Sequence, residues 1–343
     1  MQKGNEMDKK ARELIPPGLV YIADNIIHKR NVLGARKGAG AKWAKDLNLP
    51  QEAKTIFFAG CGYQYNTALE AMTSLIRKMD KSPIGAELPM GIARFQKKMG
   101  VDFAGVYRRL AVKDSDADGE PLRDAVRVLR NLGIEFGYLA DDEPCCGGLL
   151  HHVGLQSEFA QNARRVYDEL KSHGVERIIG IVPSCTYTLR DLVPKYIEGY
   201  DLDVKHFLQV LLENIAPDRL RFPGEVRVVY HDPCQLSRYL GLVEEPRRIL
   251  GFIKGIDLVE TEWTSGEWAT CCGGGGGFEA VFPELSEILA VNRARELVET
   301  GARIIVTHCP GCIMQLKGGL KKLGIGDVEV LDLAQVVAMA MEG

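Results

Sequence analysis

The amino-acid sequence predicts an α/β fold made of two related units, each built on a mainly parallel sheet. Short apolar runs alternate with amphipathic helical segments, which is the pattern of such folds. The second half of the chain also repeats the first, since 126 residues separate both Cys146 from Cys272 and Gln209 from Gln335. We therefore expect two pseudo-repeated Rossmann-like units, with ligands held at the carboxyl-terminal rims of the strands.

Six apolar runs bounded by glycine or proline predict buried strands. They are residues 54–59, 134–139 and 177–182 in the first half, and 226–230, 257–261 and 303–307 in the second. One amphipathic segment in each half, 157–173 and 284–300, predicts a long helix, and the buried face of the second includes Leu285 and Ile288. Every cysteine follows one of these strands, so each half should gather its thiols at one edge of its sheet.

The repeat also predicts the domain boundaries. We predict an N-terminal arm (1–50), a first unit (51–215) with an insertion at about 81–131, and a second unit (216–343). The insertion follows from the separation of Cys61 and Cys234, which is 173 residues rather than 126. The arm lies outside the repeat and is expected to be extended and partly helical, and the proline- and glycine-containing stretch 216–225 is expected to link the two units.

Composition argues against several classes of function. The 343 residues include 43 Lys and Arg against 46 Asp and Glu, and the net charge of −3 does not favour a nucleic-acid partner. No apolar run is long enough for direct membrane insertion, and the first residues lack the apolar region of a signal peptide. We therefore expect a cytoplasmic protein that reaches a membrane only through a partner subunit, and whose thiols stay reduced.

Nine cysteines fall into two sets. They are Cys61, Cys145, Cys146 and Cys185 in the first half, and Cys234, Cys271, Cys272, Cys309 and Cys312 in the second. Thiolates gathered in this way favour a soft metal, and their number favours an iron–sulfur cluster. Two alternatives stay open: a zinc site, which needs only four thiolates, and a dithiol redox pair at Cys309 and Cys312, which leaves the other three without a role.

The neighbours of the second set fit a cluster. Five glycines, 273–277, follow the adjacent pair and can direct backbone N–H groups at cluster sulfurs, although a flexible loop or a phosphate nest gives the same composition. His231 and His308 flank cysteines of this set. Each could donate a hydrogen bond to sulfur or move a proton, or could simply bond the strand ends.

The pattern C-x36-C-C-G-x35-C-P-G-C, opened by Tyr-His-Asp-Pro-Cys at 230–234, resembles the duplicated cysteine-rich (CCG) domain. That domain occurs in the B-type and D-type subunits of heterodisulfide reductase and in iron–sulfur subunits of glycolate, lactate and glycerol-3-phosphate dehydrogenases. The resemblance implies a non-cubane [4Fe–4S] cluster in the second half, ligated by all five cysteines there. Val182 stands where the first half should carry a fifth cysteine, so a second [4Fe–4S] cluster on the other four is an open question.

The resemblance implies an oxidoreductase subunit that is active only within a complex. It would accept electrons from a partner and reduce a disulfide or similar acceptor at the non-cubane cluster. Because the chain contains no C-x-x-C-x-x-C ferredoxin run, the expected partners are a ferredoxin-like iron–sulfur subunit and a flavoprotein subunit. The alternatives are an electron relay between a flavoprotein dehydrogenase and a quinone or ferredoxin pool, which Val182 favours, and a zinc-stabilised scaffold without redox activity.

Overall fold

The computed structural model describes residues 10–66, 68–69, 119–216 and 220–342, so most of the predicted insertion lies outside the described residues. The strands are β1 (Thr55–Phe58), β2 (Arg177–Gly180), β3 (Asp203–His206), β4 (Arg221–Tyr230), β5 (Lys254–Val259), β6 (Ile304–Thr307) and β7 (Glu329–Asp332). The helices are α1 (Pro17–Lys29), α2 (Gly60–Gln64), α3 (Glu120–Asn131), α4 (Gly148–His152), α5 (Gln156–Ser172), α6 (Pro183–Tyr187), α7 (Phe207–Asn214), α8 (Glu244–Gly251), α9 (Phe278–Val281), α10 (Pro283–Val298), α11 (Pro310–Leu323) and α12 (Leu333–Glu342).

The strands form two sheets in which every pair is parallel, and this confirms the predicted α/β class. The strand order is β1-β2-β3 in the first sheet and β5-β4-β6-β7 in the second. Buried aliphatic residues lie opposite each other across the strands, as Ile56 does with Ile178 and Val229 with Ile305. Because parallel strands need crossover connections, helices connect the strands, and β1, β2 and β6 are buried enough to read as apolar runs.

The predicted strand at 134–139 forms only one bridge, between Gly137 and Ile56. Gly137 exchanges backbone hydrogen bonds of 2.8 Å with Thr55 and Phe57, but the N–H of Tyr138 donates to Pro50 instead. The arm packs against this segment, since the indole N–H of Trp43 donates to the Tyr138 hydroxyl over 3.2 Å and the rings pack at 4.9 Å. A helical turn begins at Ala140, directly after this segment, so the pairing with β1 does not continue.

The arm is not an extended appendage. Ala23 and Ile26 of α1 are fully buried, and Trp43 is 5% exposed. Arg165 of α5 donates to the carbonyl oxygen of Ile27 over 2.9 Å and so caps the last turn of α1. The arm therefore packs on the first sheet. Strand β4 begins at Arg221, so the second half of the predicted link is strand.

The two sheets share one apolar core. His308, after β6, stacks on Phe207 of α7 with ring centroids 5.6 Å apart. Its Nδ1 lies 2.8 Å from the carboxylate of Asp332, and the hydroxyl of Tyr63 donates to the same carboxylate. These groups are buried, so a polar network joins the two halves. In the described part of the chain, no helix combines the length and the apolar character needed to cross a bilayer.

Candidate metal centres

The structure places the cysteines at the edges where the strands end. Cys61 follows β1, and Cys185 follows β2. Cys234 follows β4, and Cys309 and Cys312 follow β6. All nine cysteines are free thiols. Since the carboxyl ends of parallel strands meet at one edge, sulfur atoms far apart in sequence come together there.

The first cysteine group consists of Cys61, Cys145, Cys146 and Cys185. The Sγ atoms of Cys146 and Cys185 are 3.4 Å apart, and three of the four residues are buried. Hydrogen bonds from Cys145 and then Cys185 lower the pKa of the Cys146 thiol well below its usual value. Hydrogen bonds to Cys146 and Cys61 raise the pKa of the Cys145 thiol. Four sulfurs thus share protons in a low-dielectric pocket, where a metal ion could replace those protons.

Glu143 supports the first group and was not predicted as a site residue. Its partly buried carboxylate accepts hydrogen bonds from the backbone N–H groups of Ala59 (2.7 Å) and Gly60 (2.8 Å) and from the Gln64 side chain (2.7 Å). These groups surround the first turn of α2, which carries Cys61. Burial raises the pKa of Glu143 to about 8. The run Asp-Asp-Glu-Pro before the cysteine pair was a visible signal, but nothing local shows which acid is buried.

The second cysteine group consists of Cys234, Cys271, Cys272, Cys309 and Cys312. The Sγ atoms of Cys272 and Cys312 are 3.2 Å apart. The pKa of the Cys312 thiol is raised by hydrogen bonds to Cys272 and then Cys309, and that of Cys234 is raised by burial and then by the charges of Cys309 and Cys272. Cys271 is the exposed member. The five residues therefore lie around one point, with soft donor atoms that suit iron or zinc.

The glycine run approaches both the sulfurs and the helices. The N–H of Gly273 donates to the Sγ of Cys271 over 3.3 Å, so one of the predicted N–H contacts to sulfur is present. Gly273 has φ of +82°, and a Cβ there would lie 2.4 Å from the carbonyl oxygen of Ser286 in α10. Only glycine fits this position, because both the dihedral angle and the close approach exclude a side chain.

The first cysteine group lacks a fifth cysteine, and the structure shows what occupies that position. Val182 directly precedes α6 as Cys309 directly precedes α11, and proline begins both helices. A Cβ on Gly60 would lie 2.9 Å from a methyl group of Val182 and 3.0 Å from the Sγ of Cys185. Val182 therefore lies beside the first cysteine group, with a methyl group where a thiol could stand.

The two histidines differ in their surroundings. A ring nitrogen of His231 lies within 4.8 Å of the sulfurs of Cys272 and Cys312. His308 instead bonds Asp332. Arg293 of α10, which sequence analysis missed, donates to the Nδ1 of His231 over 3.1 Å. It lies on the helix that was expected to bury Leu285 and Ile288, whereas these two are 48% and 55% exposed.

The two cysteine groups lie close together, because residues next to them in sequence are in contact. A Cβ on Gly62, next to Cys61, would lie 2.7 Å from the Cγ of Pro310, next to Cys309. Tyr187 in α6 and Tyr239 have ring centroids 5.1 Å apart. The two groups thus lie on either side of one contact surface between the halves.

Comparison with known proteins agrees with this arrangement. Residues 111–190 and 228–317 each match the profile of the cysteine-rich domain (CCG) family. Over 221 residues the chain is 32% identical to the D-type subunit of the dihydromethanophenazine:CoB–CoM heterodisulfide reductase of Methanosarcina acetivorans, covering 63% of this chain and 54% of that protein. It is 33% identical over 218 residues to the B-type subunit of the fumarate reductase (CoM/CoB) of Methanothermobacter marburgensis, covering 63% and 42%.

A third relative is the EtfAB:quinone oxidoreductase of Syntrophomonas wolfei, 30% identical over 252 residues, covering 71% of this chain and 33% of that protein. The chain thus spans about half or less of the length of these relatives. Both matched family segments contain cysteines, but Cys61 lies outside the first of them.

Proposed function

Because this chain belongs to the cysteine-rich domain (CCG) family of iron–sulfur proteins, we propose that it is a redox subunit of heterodisulfide reductase type. In this proposal it accepts electrons from a partner subunit and passes them to a disulfide or similar acceptor at the second cysteine group. The observation that carries the proposal is the convergence of five sulfurs from three separate stretches of chain. One turnover on a disulfide takes two electrons and two protons and yields two thiols.

A non-cubane [4Fe–4S] cluster on the second cysteine group would supply one-electron steps and iron that binds thiolates. The protein's own part is to hold the ligands in place and to exclude water. Cys272 and Cys312 are each 3% exposed, which keeps their sulfurs in a medium of low dielectric constant. Cys271, by contrast, faces solvent and offers the acceptor or the electron donor a way in.

We assign electron entry to the surface around Cys271. From residue 255 to residue 292 the sequence has seven acidic residues and no lysine or arginine. Three of these acids form ion pairs with basic residues from other segments, and Arg238 donates to the carbonyl oxygens of Glu267 and Ala269. Trp263 and Trp268 are each 80% exposed here. Glu262 and Glu267 are exposed and form no ion pair within the described residues. Exposed tryptophans beside these two glutamates fit a partner whose contact surface combines apolar and basic residues.

Metal analysis tests the central proposal. Protein isolated without oxygen should contain about four iron atoms and four sulfides per cluster, and reduction should give an EPR signal. Cys312→Ser should remove the signal of the second group and leave any signal of the first. A colourless protein that binds zinc alone would select the scaffold and overturn the proposal.

Charge reversal tests whether a basic partner docks and exchanges electrons at this surface, with cytochrome c as an acceptor that reports docking whatever the direction of electron flow. The reduced protein should pass electrons to cytochrome c, a basic redox protein, at a rate that falls with salt and falls further in a Glu262→Lys, Glu267→Lys double variant. Glu198→Lys is the matched control, because Glu198 is exposed in the first half. Equal rates in all three proteins, independent of salt, would contradict entry at this surface.

An electron relay is the second candidate function. The valine at position 182 leaves the first cysteine group one thiol short, and one relative named above is a quinone oxidoreductase. A relay would reduce its clusters normally with a flavoprotein donor yet show no turnover with any disulfide. Disulfide turnover at a rate matching cluster reoxidation would exclude it.

A further inference from the structure

Arg293 is the largest fully buried side chain in the described part of the chain, with 1% exposed. It donates to the Nδ1 of His231 (3.1 Å), to the hydroxyl of Thr264 (2.9 Å) and to the carboxylate of Glu296 (2.7 Å). Glu296 also accepts a hydrogen bond of 2.7 Å from Thr270, next to the cysteine pair. Burying a guanidinium without partners is strongly unfavourable, so this network has a strict geometry.

The contact between Arg293 and His231 fixes the position of the ring proton. A guanidinium has donors only, so the Nδ1 of His231 must accept. A neutral imidazole carries one proton, and that proton must therefore be on Nε2.

The Nε2 of His231 is buried and has no hydrogen-bond partner among the described protein groups. A ring nitrogen of His231 lies within 4.8 Å of the sulfurs of Cys272 and Cys312. Because Nδ1 accepts from Arg293, we infer that Nε2 is the nitrogen available to these sulfurs. In agreement, His231 is one of the groups that lower the pKa of the Cys272 thiol, after Cys271 and Cys312.

We propose that Arg293 is a positioning residue that holds His231 as an N–H donor to the sulfurs of the second cysteine group, and not as a metal ligand. A histidine that binds a metal through Nε2 carries its proton on Nδ1 and donates it to an acceptor. Arg293 cannot accept that proton, so the metal-ligand form is excluded. This inference rests on the proposed function, since the donor acts on a cluster held there.

The first cysteine group has no such donor at the matching position. His231 stands three residues before Cys234, and Phe58 stands three residues before Cys61, fully buried. Hydrogen bonds to cluster sulfur stabilise the reduced, more negative state and raise the reduction potential. His231 should therefore raise the potential of the second site relative to a phenylalanine at the same place.

Redox titration followed by EPR tests this on protein prepared without oxygen. His231→Phe copies Phe58 and should shift the second site at least tenfold toward the oxidised form at a given potential, about 59 mV for a one-electron couple. His231→Gln, which keeps an N–H donor, should restore at least half of the shift. The signal of the first site, where present, should not move. An unchanged potential in His231→Phe would overturn the inference.

Variants of Arg293 test the positioning role. Arg293→Met should shift the potential of the second site, Arg293→Lys should retain it, and Arg293→Met combined with His231→Phe should match His231→Phe alone. Additive shifts would mean that Arg293 does not act through His231. Arg295→Met is the matched control, because Arg295 lies on the same helix with its side chain exposed.

Iron and sulfide analysis distinguishes a failure of the proposed function from a failure of the proposed role of His231. Wild-type protein without iron would end the proposed function. Full iron with identical potentials in wild type and His231→Phe would end only the role of His231. If Arg293→Met does not fold, the comparison of His231→Phe with His231→Gln still decides whether an N–H donor is present, and Arg293→Lys still decides the positioning role.

Discussion

Val182→Cys should change the first cysteine group and leave the second as it is. Val182 is 4% exposed and lies next to the Sγ of Cys185 across Gly60. It precedes α6 as Cys309 precedes α11, so a thiol at position 182 would occupy the place that Cys309 has in the second group. The substitution therefore supplies the ligand that the first group lacks.

The cost to folding should be small. Valine to cysteine removes one buried methyl group and replaces another with sulfur, which resembles a conservative core truncation of about 0.5–1.5 kcal/mol. A domain of ordinary stability, about 5–15 kcal/mol, tolerates this. Val182→Ala is the matched control, because it removes more volume and adds no ligand. A change seen in the cysteine variant alone must come from the thiol.

Iron content and EPR of the reduced protein provide the assay. We expect Val182→Cys to raise iron per chain or to change the EPR signal of the first group, with the signal of the second group unchanged. Val182→Ala should resemble wild type. Identical iron content and spectra in all three proteins would refute the argument that Val182 occupies a ligand position, and would indicate that the first group holds no cluster.

Three further substitutions test stability. The pKa of Glu143 is raised to about 8, against 4.5 for a free side chain. The folded state is therefore stabilised fully below pH 4.5, and this stabilisation is lost as the pH rises through 8. Glu143→Gln should make the free energy of unfolding, measured with urea, less dependent on pH over that range. Asp332→Asn should lower the free energy of unfolding by about 3 kcal/mol in the same assay, because it leaves the buried His308 without its carboxylate. The control Asp327→Asn, in an exposed ion pair, should lower it by a small fraction of that. Equal losses in the two variants would contradict the buried network. Gly319→Ala should lower the free energy of unfolding by about 1–3 kcal/mol, because its Cβ would lie 2.5 Å from a carbonyl oxygen of α10. The control Gly326→Ala, whose Cβ would have nothing within 4 Å, should leave stability unchanged. An unchanged stability in Gly319→Ala would show that α10 and α11 can move apart freely.

Strands β1, β2 and β6 could be predicted from sequence because they are buried along almost their whole length and are therefore apolar. The observed bounds of β1, β2 and β6 differ from the predicted runs by at most two residues at either end. Prediction failed at 134–139, where only Gly137 pairs with β1 and a helical turn begins at Ala140. It also failed for β3 and β7, which alternate buried and partly exposed residues and so lack an apolar run.

The gathering of the cysteines at strand ends could be predicted, whereas the residues around them could not. Cysteine spacing marks candidate ligands because few other functions need nine thiols after strand ends. Glu143 and Arg293 carry no such mark, since a charged residue is buried only if tertiary structure provides its partners. The amphipathic pattern of α10 even gave the opposite answer, because Leu285 and Ile288 are exposed and Arg293 is buried.

The differences between the two cysteine groups all favour the second group as the place where electrons collect. The second group has a fifth thiol at Cys309 where the first has Val182, an N–H donor at His231 where the first has Phe58, and one exposed member, Cys271. The donor raises the reduction potential of whatever cluster the second group holds, and the exposed cysteine gives access to partners. If both groups hold clusters, electrons should therefore collect at the second one, and the first would serve as a neighbouring store reached across the contact between Gly62 and Pro310.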